Sequence, residues 1–234
     1  MKNVKLIVVS SISVAFLAAC GGGGGGAPAA TAAQATTSFP LQSGYKARIA
    51  GGSSDNFNIS GTCSGTAAIS TAKPVSASFE GASGLSTTTT QTVNFTNCTP
   101  ASNAVTSTGF YDTNYNPLGH SIAGVEYGKF LTVPNALPTS VKVGDTAVFG
   151  TETTYTDSTK QVITGQRILS YVIETDTAST AIANLITKGF NTSNQLLFTQ
   201  QSRYRIAADG TLTTSSLDVQ YSTTSANHLV YTPK

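Results

Sequence analysis

The start of the chain carries the clearest chemical signal in the sequence. Lys2 and Lys5 make the first residues basic, and Leu6 to Phe16 form an apolar run interrupted only by serines. Leu17-Ala18-Ala19-Cys20 follows, so that small residues stand directly before a thiol. This order is typical of a secretory signal peptide and its cleavage site. The run is shorter than the roughly 20 residues that a transmembrane helix needs. We therefore predict a signal peptide over residues 1–19.

Leu17-Ala18-Ala19-Cys20 resembles the lipobox of Gram-negative envelope lipoproteins. In that family the Cys thiol is joined to diacylglycerol, the peptide is cut before the Cys, and the new amine is acylated, commonly with palmitate. The resemblance implies that Cys20 is lipidated and becomes the first residue of the mature chain. Several acyl chains together hold a protein at a membrane far more firmly than one chain does. Gly21 stands where an Asp would retain such a protein at the inner membrane. The resemblance thus implies an outer-membrane location, at the periplasmic face or the cell surface.

A low-complexity segment follows the cysteine. Gly21 to Gly26 are consecutive glycines, and Ala27 to Gln34 is rich in alanine. Such segments behave as flexible linkers. A phosphate-binding loop is the alternative, but no Lys-Ser or Lys-Thr pair follows the glycines. We predict a tether over residues 20–38, lipidated at its first residue, that spans roughly 25 Å.

Cys63 and Cys98 are the two cysteines left after Cys20. An exported protein meets an oxidising environment, so we predict that they form a disulfide bond. Closing a loop of this length would stabilise the fold by about 3–4 kcal/mol in the chain-entropy model. Gly61-Thr62-Cys63-Ser64-Gly65 also matches a nucleophile elbow with Cys in place of Ser. That motif needs a helix after it, and residues 66–74 show no helical stripe.

Other residues with chemical potential are scattered along the chain. Asp112, Asn114 and Asn116 match the first part of a calcium loop and are weak candidates for a ligand site. Pro117 stands where the loop needs Gly, and Ala123 where it needs a bidentate Glu, so a polar turn is the alternative. We predict no catalytic residue, metal site or cofactor.

The two histidines and one Arg-aromatic segment complete the candidates. His120 and His228 lie among apolar neighbours and have no metal-ligand partner at a fixed local spacing. Arg203-Tyr204-Arg205 could recognise a sugar or a nucleic acid, although two arginines on a strand are more often charges that face solvent. Glu174 and Asp176 would share one face of a strand, where we expect them to be solvated.

Low charge limits the partners of the protein. Charged residues make up 10% of the sequence, and the formal net charge is +2. Lys2 and Lys5 account for this excess, so the chain after residue 19 is formally neutral. Nucleic-acid binding needs clustered Lys and Arg, and we expect none here.

The elements that must position these residues are predicted to be strands. Apolar residues alternate with polar ones over residues 57–63, 75–79 and 91–96, as in half-buried strands. Residues 106–133 are predicted to form a hairpin around an Asn116-Pro117 turn. Ala208-Asp209-Gly210 is a strong hairpin signal between two further strands. Residues 181–190 fit either a strand or a helix, and the turn-forming residues after them favour a strand.

The predicted fold is all-β. Residues 39–133 are expected to form an antiparallel, sandwich-like region with the disulfide. After the break at residues 134–138, residues 134–234 are expected to form an antiparallel meander that resembles a barrel or half-barrel. We expect both regions to pack as one unit.

These features favour binding or structural roles over catalysis. The first hypothesis is a lipid-anchored envelope protein that acts as a structural or interaction module without enzymatic activity, with another envelope protein as a candidate partner. The second is a carrier that holds an apolar ligand inside a barrel. An enzyme, such as a hydrolase, is the third.

Overall fold

Strands make up most of the protein, as its alternating and Thr-rich sequence predicts. The structure is a computed structural model that describes residues 34–222 and 227–234. In chain order the elements are α1 (Leu41–Gly51), β1 (Ser53–Gly61), β2 (Gly65–Thr71), β3 (Val75–Phe79), β4 (Ala82–Phe95), β5 (Ser102–Tyr111), β6 (Pro117–Ile122), β7 (Glu126–Phe130), β8 (Thr146–Tyr155), β9 (Ile163–Thr175), β10 (Thr180–Asn191), β11 (Leu196–Ala207), β12 (Leu212–Tyr221) and β13 (His228–Pro233).

Twelve of these strands close into an antiparallel β-barrel. Strands β4 to β13 run as a meander in which each strand pairs with the next. The barrel closes because β13 pairs with β1, β1 with β2, and β2 with β4. Strand β3 stays outside this ring and pairs with residues 82–86 of β4, beside the part of β4 that β2 occupies. A closed barrel leaves the twelve strands of the ring without a free edge.

The all-β prediction is confirmed, and the two predicted regions are sections of this one barrel. Residues 181–190 lie within β10, so the strand alternative is the correct one. The turn at 208–211 joins β11 to β12, with Gly210 at φ +88° and the Asp209 carboxylate accepting a hydrogen bond from the Thr211 N–H. The predicted hairpin over 106–133 has three strands instead of two, because a turn at 123–125 divides its second arm into β6 and β7.

Helix α1 lies against the β11–β12 turn, lines part of the barrel interior and was not predicted. Leu41, Tyr45 and Ile49 recur at four-residue spacing, which places them on one face, and Leu41 and Ile49 are buried. Gly44 lets this helix approach the β11–β12 turn, since a Cβ atom there would lie 2.2 Å from the Gly210 carbonyl oxygen. The helix ends at Gly51 and is followed by Gly52, which has φ +68°.

Two apolar clusters fill much of the barrel. The first combines Phe39, just before α1, and Leu41, the first residue of α1, with buried residues of strands β7 to β11. The second joins strands β1, β2, β4, β12 and β13 around Phe57, Val93 and Tyr231. Burial of apolar side chains at roughly 25 cal/mol per Å² makes these clusters the main source of stability.

The predicted disulfide is present at the edge of the second cluster. Cys63 and Cys98 are bonded, with their Cα atoms 5.7 Å apart. The bond ties the turn after β1 to the segment after β4, and Cys63 is almost completely buried. A bonded, buried sulfur is not available as a nucleophile, so the elbow alternative fails.

Candidate functional site

An interior cavity of about 170 Å³ is the best candidate for a functional site. Residues of α1, β1, β2, β4, β5, β10, β11 and β12 line it. Five strands separate β4 from β10 in either direction around the ring, so these two strands form opposite walls. Because both walls contribute lining residues, the cavity crosses the inside of the barrel.

Hydroxyl and amide groups line much of this cavity. They include Thr71, Thr89, Gln91, Gln200, Ser202 and Ser216. The Thr71 and Thr89 hydroxyl oxygens lie 2.9 Å apart, and the Gln91 amide donates to the Tyr231 hydroxyl at 3.4 Å. Each of these groups can both donate and accept a hydrogen bond. The cavity can therefore satisfy a polar molecule from several directions.

Aromatic rings provide the other main part of the lining. Tyr45 projects from α1, Tyr111 from β5 and Tyr204 from β11, and Phe57 lies on β1. Burial raises the pKa of Tyr45 well above its ordinary value, and the nearby phenols of Tyr111 and Tyr204 raise it further. Burial also raises the pKa of Tyr111. These two phenols stay neutral, and their O–H groups remain donors.

One ion pair lines the cavity on the side of α1. The Arg48 guanidinium donates to Asp55 Oδ2 at 2.8 Å and to the Thr214 hydroxyl at 2.9 Å. The Thr214 hydroxyl in turn donates to Asp55 Oδ2 at 3.1 Å. The guanidinium also stacks 4.7 Å from the centre of the Tyr204 ring. This pair holds α1 to strands β1 and β12 and neutralises its own charges.

A second polar region lies next to the cavity. His120 on β6 contacts Glu152 through Nδ1 and Glu126 through Nε2, both at 2.8 Å. Arg167 on β9 is hydrogen-bonded to Glu126, and His120, Glu152 and Arg167 are buried. Gly128 makes room for the cluster, because a Cβ atom there would lie 2.3 Å from the His120 ring. We call these four charged residues the His120 cluster.

The electrostatics of the His120 cluster favour its charged form. Burial and the positive charge of Arg167 disfavour the protonated, charged form of His120. The carboxylates of Glu152 and Glu126 favour that form more strongly, so the pKa of His120 is raised. Burial alone would raise the pKa of Glu126, yet Arg167 and His120 lower it. An imidazole that meets carboxylates at both nitrogens must be protonated to donate to both. His120 therefore has no free nitrogen with which to activate a nucleophile.

Asp112, Asn114 and Asn116 lie together in the turn between β5 and β6. Asp112 Oδ1 accepts hydrogen bonds from the N–H groups of Asn114 and Asn116 at 2.7 and 2.9 Å. Asp112 Oδ2 accepts another from the Asn116 side chain at 2.8 Å. The turn's own donors occupy this carboxylate, which is the arrangement of a structural Asx turn.

The other singled-out residues lie away from the cavity, with the exception of Tyr204. Arg203 pairs with Glu174 at 3.1 Å, and Arg205 pairs with Asp176 at 2.7 Å. The two carboxylates that we expected to be solvated are thus partnered across the sheet. His228 is half-exposed and lies 3.0 Å from Asp218.

The predicted lipidation site, Cys20, lies outside the described residues, as does most of the tether. Within residues 34–222 and 227–234, no helix has the length and apolar character needed to cross a membrane. The same residues contain no cluster of three or more His, Cys, Asp or Glu side chains arranged to hold a metal ion.

Comparison of the chain with models of known protein families found no match, and comparisons with curated proteins and with solved structures also found none. The candidate site is therefore defined by its geometry.

Sequence reasoning missed most residues of the cavity. Thr89 and Gln91 belong to a Thr-rich strand in which Thr88 and Thr90 look equivalent to them. The signal that distinguishes them is their position on the inner face, and that depends on which strands close the barrel. Arg48 and Tyr45 were missed because no helix was predicted there.

Proposed function

We propose that the protein is a lipid-anchored envelope protein whose barrel binds a small ligand in its interior cavity. The signal-peptide pattern, Cys20 and the Gly-rich tether support the anchor. The cavity between the β4 and β10 walls supports binding. Both apolar clusters are filled by the protein's own side chains, and the cavity stands out because a hydrogen-bonding lining surrounds unfilled space.

The size and lining of the cavity favour a small ligand with polar groups over a long apolar one. Ligand sites for drug-sized molecules usually measure about 300–1,000 Å³, and this cavity measures about 170 Å³. An extended acyl chain would have to displace one of the apolar clusters. It would also cover the hydroxyls of residues such as Thr89 and Ser202 and could not use the hydrogen-bonding capacity that their protein partners leave open. Apolar residues such as Ile69 and Leu185 add surface for the ring or methyl groups of a small molecule.

A matched pair of substitutions tests binding. Thr89 lines the cavity, whereas its neighbour Thr90 is exposed. We expect Thr89→Phe to fill the space and Thr90→Phe to leave it unchanged. Small molecules would be extracted from the purified full-length wild type and both variants, and analysed by mass spectrometry. The proposal expects a compound that is recovered with the wild type and Thr90→Phe and lost from Thr89→Phe. Equal recovery from all three proteins would contradict it.

A separate experiment tests the anchor. Cells would be grown with labelled palmitate, and the wild type and Cys20→Ala would be compared in membrane and soluble fractions. We expect label and membrane association in the wild type and neither in the variant. Cys98→Ala is the matched control, because the sulfur that it removes belongs to the Cys63–Cys98 disulfide of the folded body. Labelling of Cys20→Ala would overturn the lipid anchor at this residue.

A further inference from the structure

We infer that the ligand of the interior cavity is an uncharged, hydroxyl-bearing ring of about the size of one monosaccharide. This inference rests on the proposed binding function and narrows it to a class of ligand. It rests on three features of the cavity lining: its charges are paired, its polar groups can both donate and accept hydrogen bonds, and aromatic rings are present.

The charges in the lining indicate a neutral ligand. Arg48 and Asp55 are the charged residues among the described lining, and they are bonded to each other. An ionised ligand that left water for this cavity would need an unpaired partner of opposite charge. Asp55 already balances the charge of Arg48, so an anion beside this pair would add a negative charge without a cation of its own. Phosphates and carboxylates are therefore disfavoured, and so are ammonium groups.

The polar lining matches hydroxyl groups in particular. A hydroxyl donates one hydrogen bond and accepts others, so it is best satisfied by groups with the same double capacity. Thr89 and Gln91 on the β4 wall have that capacity, and Ser202 on β11 and Ser216 on β12 have it on the opposite side. A ligand with hydroxyls around its edge can reach both sides at once. A ligand with a single polar end would form hydrogen bonds with the polar groups on one side of the cavity and with none on the other.

The aromatic lining matches the flat faces of a ring. Tyr45, Tyr111 and Tyr204 come from three different elements and meet closely enough for their phenols to influence one another. The face of an aromatic ring packs well against apolar C–H surface, while the Tyr hydroxyl stays available to polar groups. One side of the Tyr204 ring already holds Arg48, so Tyr45 and Tyr111 are the better candidates for stacking.

The test compares closely related probes on the purified full-length protein. Glucose, galactose and mannose are the neutral probes; glucuronate and glucosamine keep the ring but carry a charge, and phenol keeps a ring with one hydroxyl. Binding would be measured by calorimetry and by saturation-transfer NMR on the wild type, Thr89→Phe and Thr90→Phe. Gln91→Leu removes one amide, and Gln220→Leu is its exposed control.

The expected result is that at least one neutral hexose binds at least tenfold more tightly than glucuronate or glucosamine. Thr89→Phe is expected to weaken that binding at least tenfold and Gln91→Leu several-fold, with both controls unchanged. If phenol or a charged sugar binds in a Thr89-dependent manner and neutral hexoses do not, the ligand class is wrong and the binding function stands. If no probe binds and extraction recovers no Thr89-dependent compound, both proposals are overturned.

Discussion

Two polar regions lie side by side in this barrel, and they differ in which partners their polar groups have. The His120 cluster pairs its charges internally, because Glu126 and Glu152 hold the imidazole and Arg167 contacts Glu126, although the buried Arg167 Nε has no hydrogen-bond partner. The interior cavity has a polar lining around space that no side chain fills. Buried charges are costly without partners, whereas neutral hydroxyls and amides can be served by water or a ligand. We therefore assign the cluster to stability and, under the proposed function, the cavity to ligand binding.

Tyr45 connects the two regions. It lines the cavity and also a smaller space of about 60 Å³ beside His120 and Glu152. The helix that carries it is held by the Arg48–Asp55 pair. A substitution in either region should therefore affect the other region through Tyr45. The loss in the free energy of unfolding should be much larger for the His120 cluster than for the cavity.

The largest expected effect is the loss of the cluster's buried cation. Arg167→Leu would leave Glu126 and Glu152 with His120 alone in a buried site. Breaking one partner out of a buried ion pair typically costs about 3–5 kcal/mol. Urea denaturation should show a loss of that size in the free energy of unfolding.

Arg205→Leu is the control for this substitution, because Arg205 is half-exposed in its pair with Asp176. We expect a loss of about 0–1 kcal/mol there. Similar losses for both arginines would show that the cluster is not the stabilising element described above.

The second effect is a dependence of stability on pH. The folded-state pKa of His120 is raised above the unfolded value of about 6.5, so protonated His120 stabilises the fold fully below that pH. The contribution is lost as the pH rises through the raised folded value. Melting temperatures should fall in that range for the wild type and much less for His120→Gln. His228→Gln, at the half-exposed histidine, should keep the wild-type profile, and an identical slope in His120→Gln would refute the assignment.

The smallest effect is expected in the cavity wall. Thr89→Val removes a hydroxyl that lies 2.9 Å from the Thr71 hydroxyl, at a position next to open space. A single neutral hydrogen bond contributes about 0.5–1.5 kcal/mol, and water in the cavity can replace it. We expect a loss of about 1 kcal/mol or less, with Thr90→Val near zero in the same denaturation assay. A loss as large as that of Arg167→Leu would mean that the cavity wall is a structural network.

The sequence was sufficient for local features of this fold. The Asp209-Gly210 turn and the Cys63–Cys98 bond follow from short-range chemistry and cellular context, and both are present. Period-two alternation located β1 because one of its faces is buried and the other exposed. Residues such as Phe57 and Ile59 could therefore be placed on an inner face without knowledge of any partner strand.

Strand β10 shows where alternation fails. Residues 181–187 are buried on both faces, so alternation alone does not distinguish a strand from a helix there, and only the turn-forming residues after them favour the strand. The reason is visible at Asn184, whose side chain donates to Glu174 and Gln201 on the neighbouring strands. Long polar side chains cover this face of the sheet and bury residues that would otherwise be exposed.

The candidate site could not be predicted, because it depends on long-range pairing. Thr89 faces the cavity only because β2 and β13 complete the ring, and these pairings join residues far apart in sequence. The His120 cluster brings together four strands whose charged residues have no common local spacing. Helix α1 was missed since its small and polar residues conceal the apolar face formed by Leu41, Tyr45 and Ile49.

A crystal structure of the full-length protein with the compound recovered by extraction is the most direct test of the central claim. The account predicts electron density for that compound between the β4 and β10 walls, within hydrogen-bonding distance of Gln91 or Ser202 and against Tyr45 or Tyr111. A cavity that holds only water, with the compound bound on the outer surface, would contradict it.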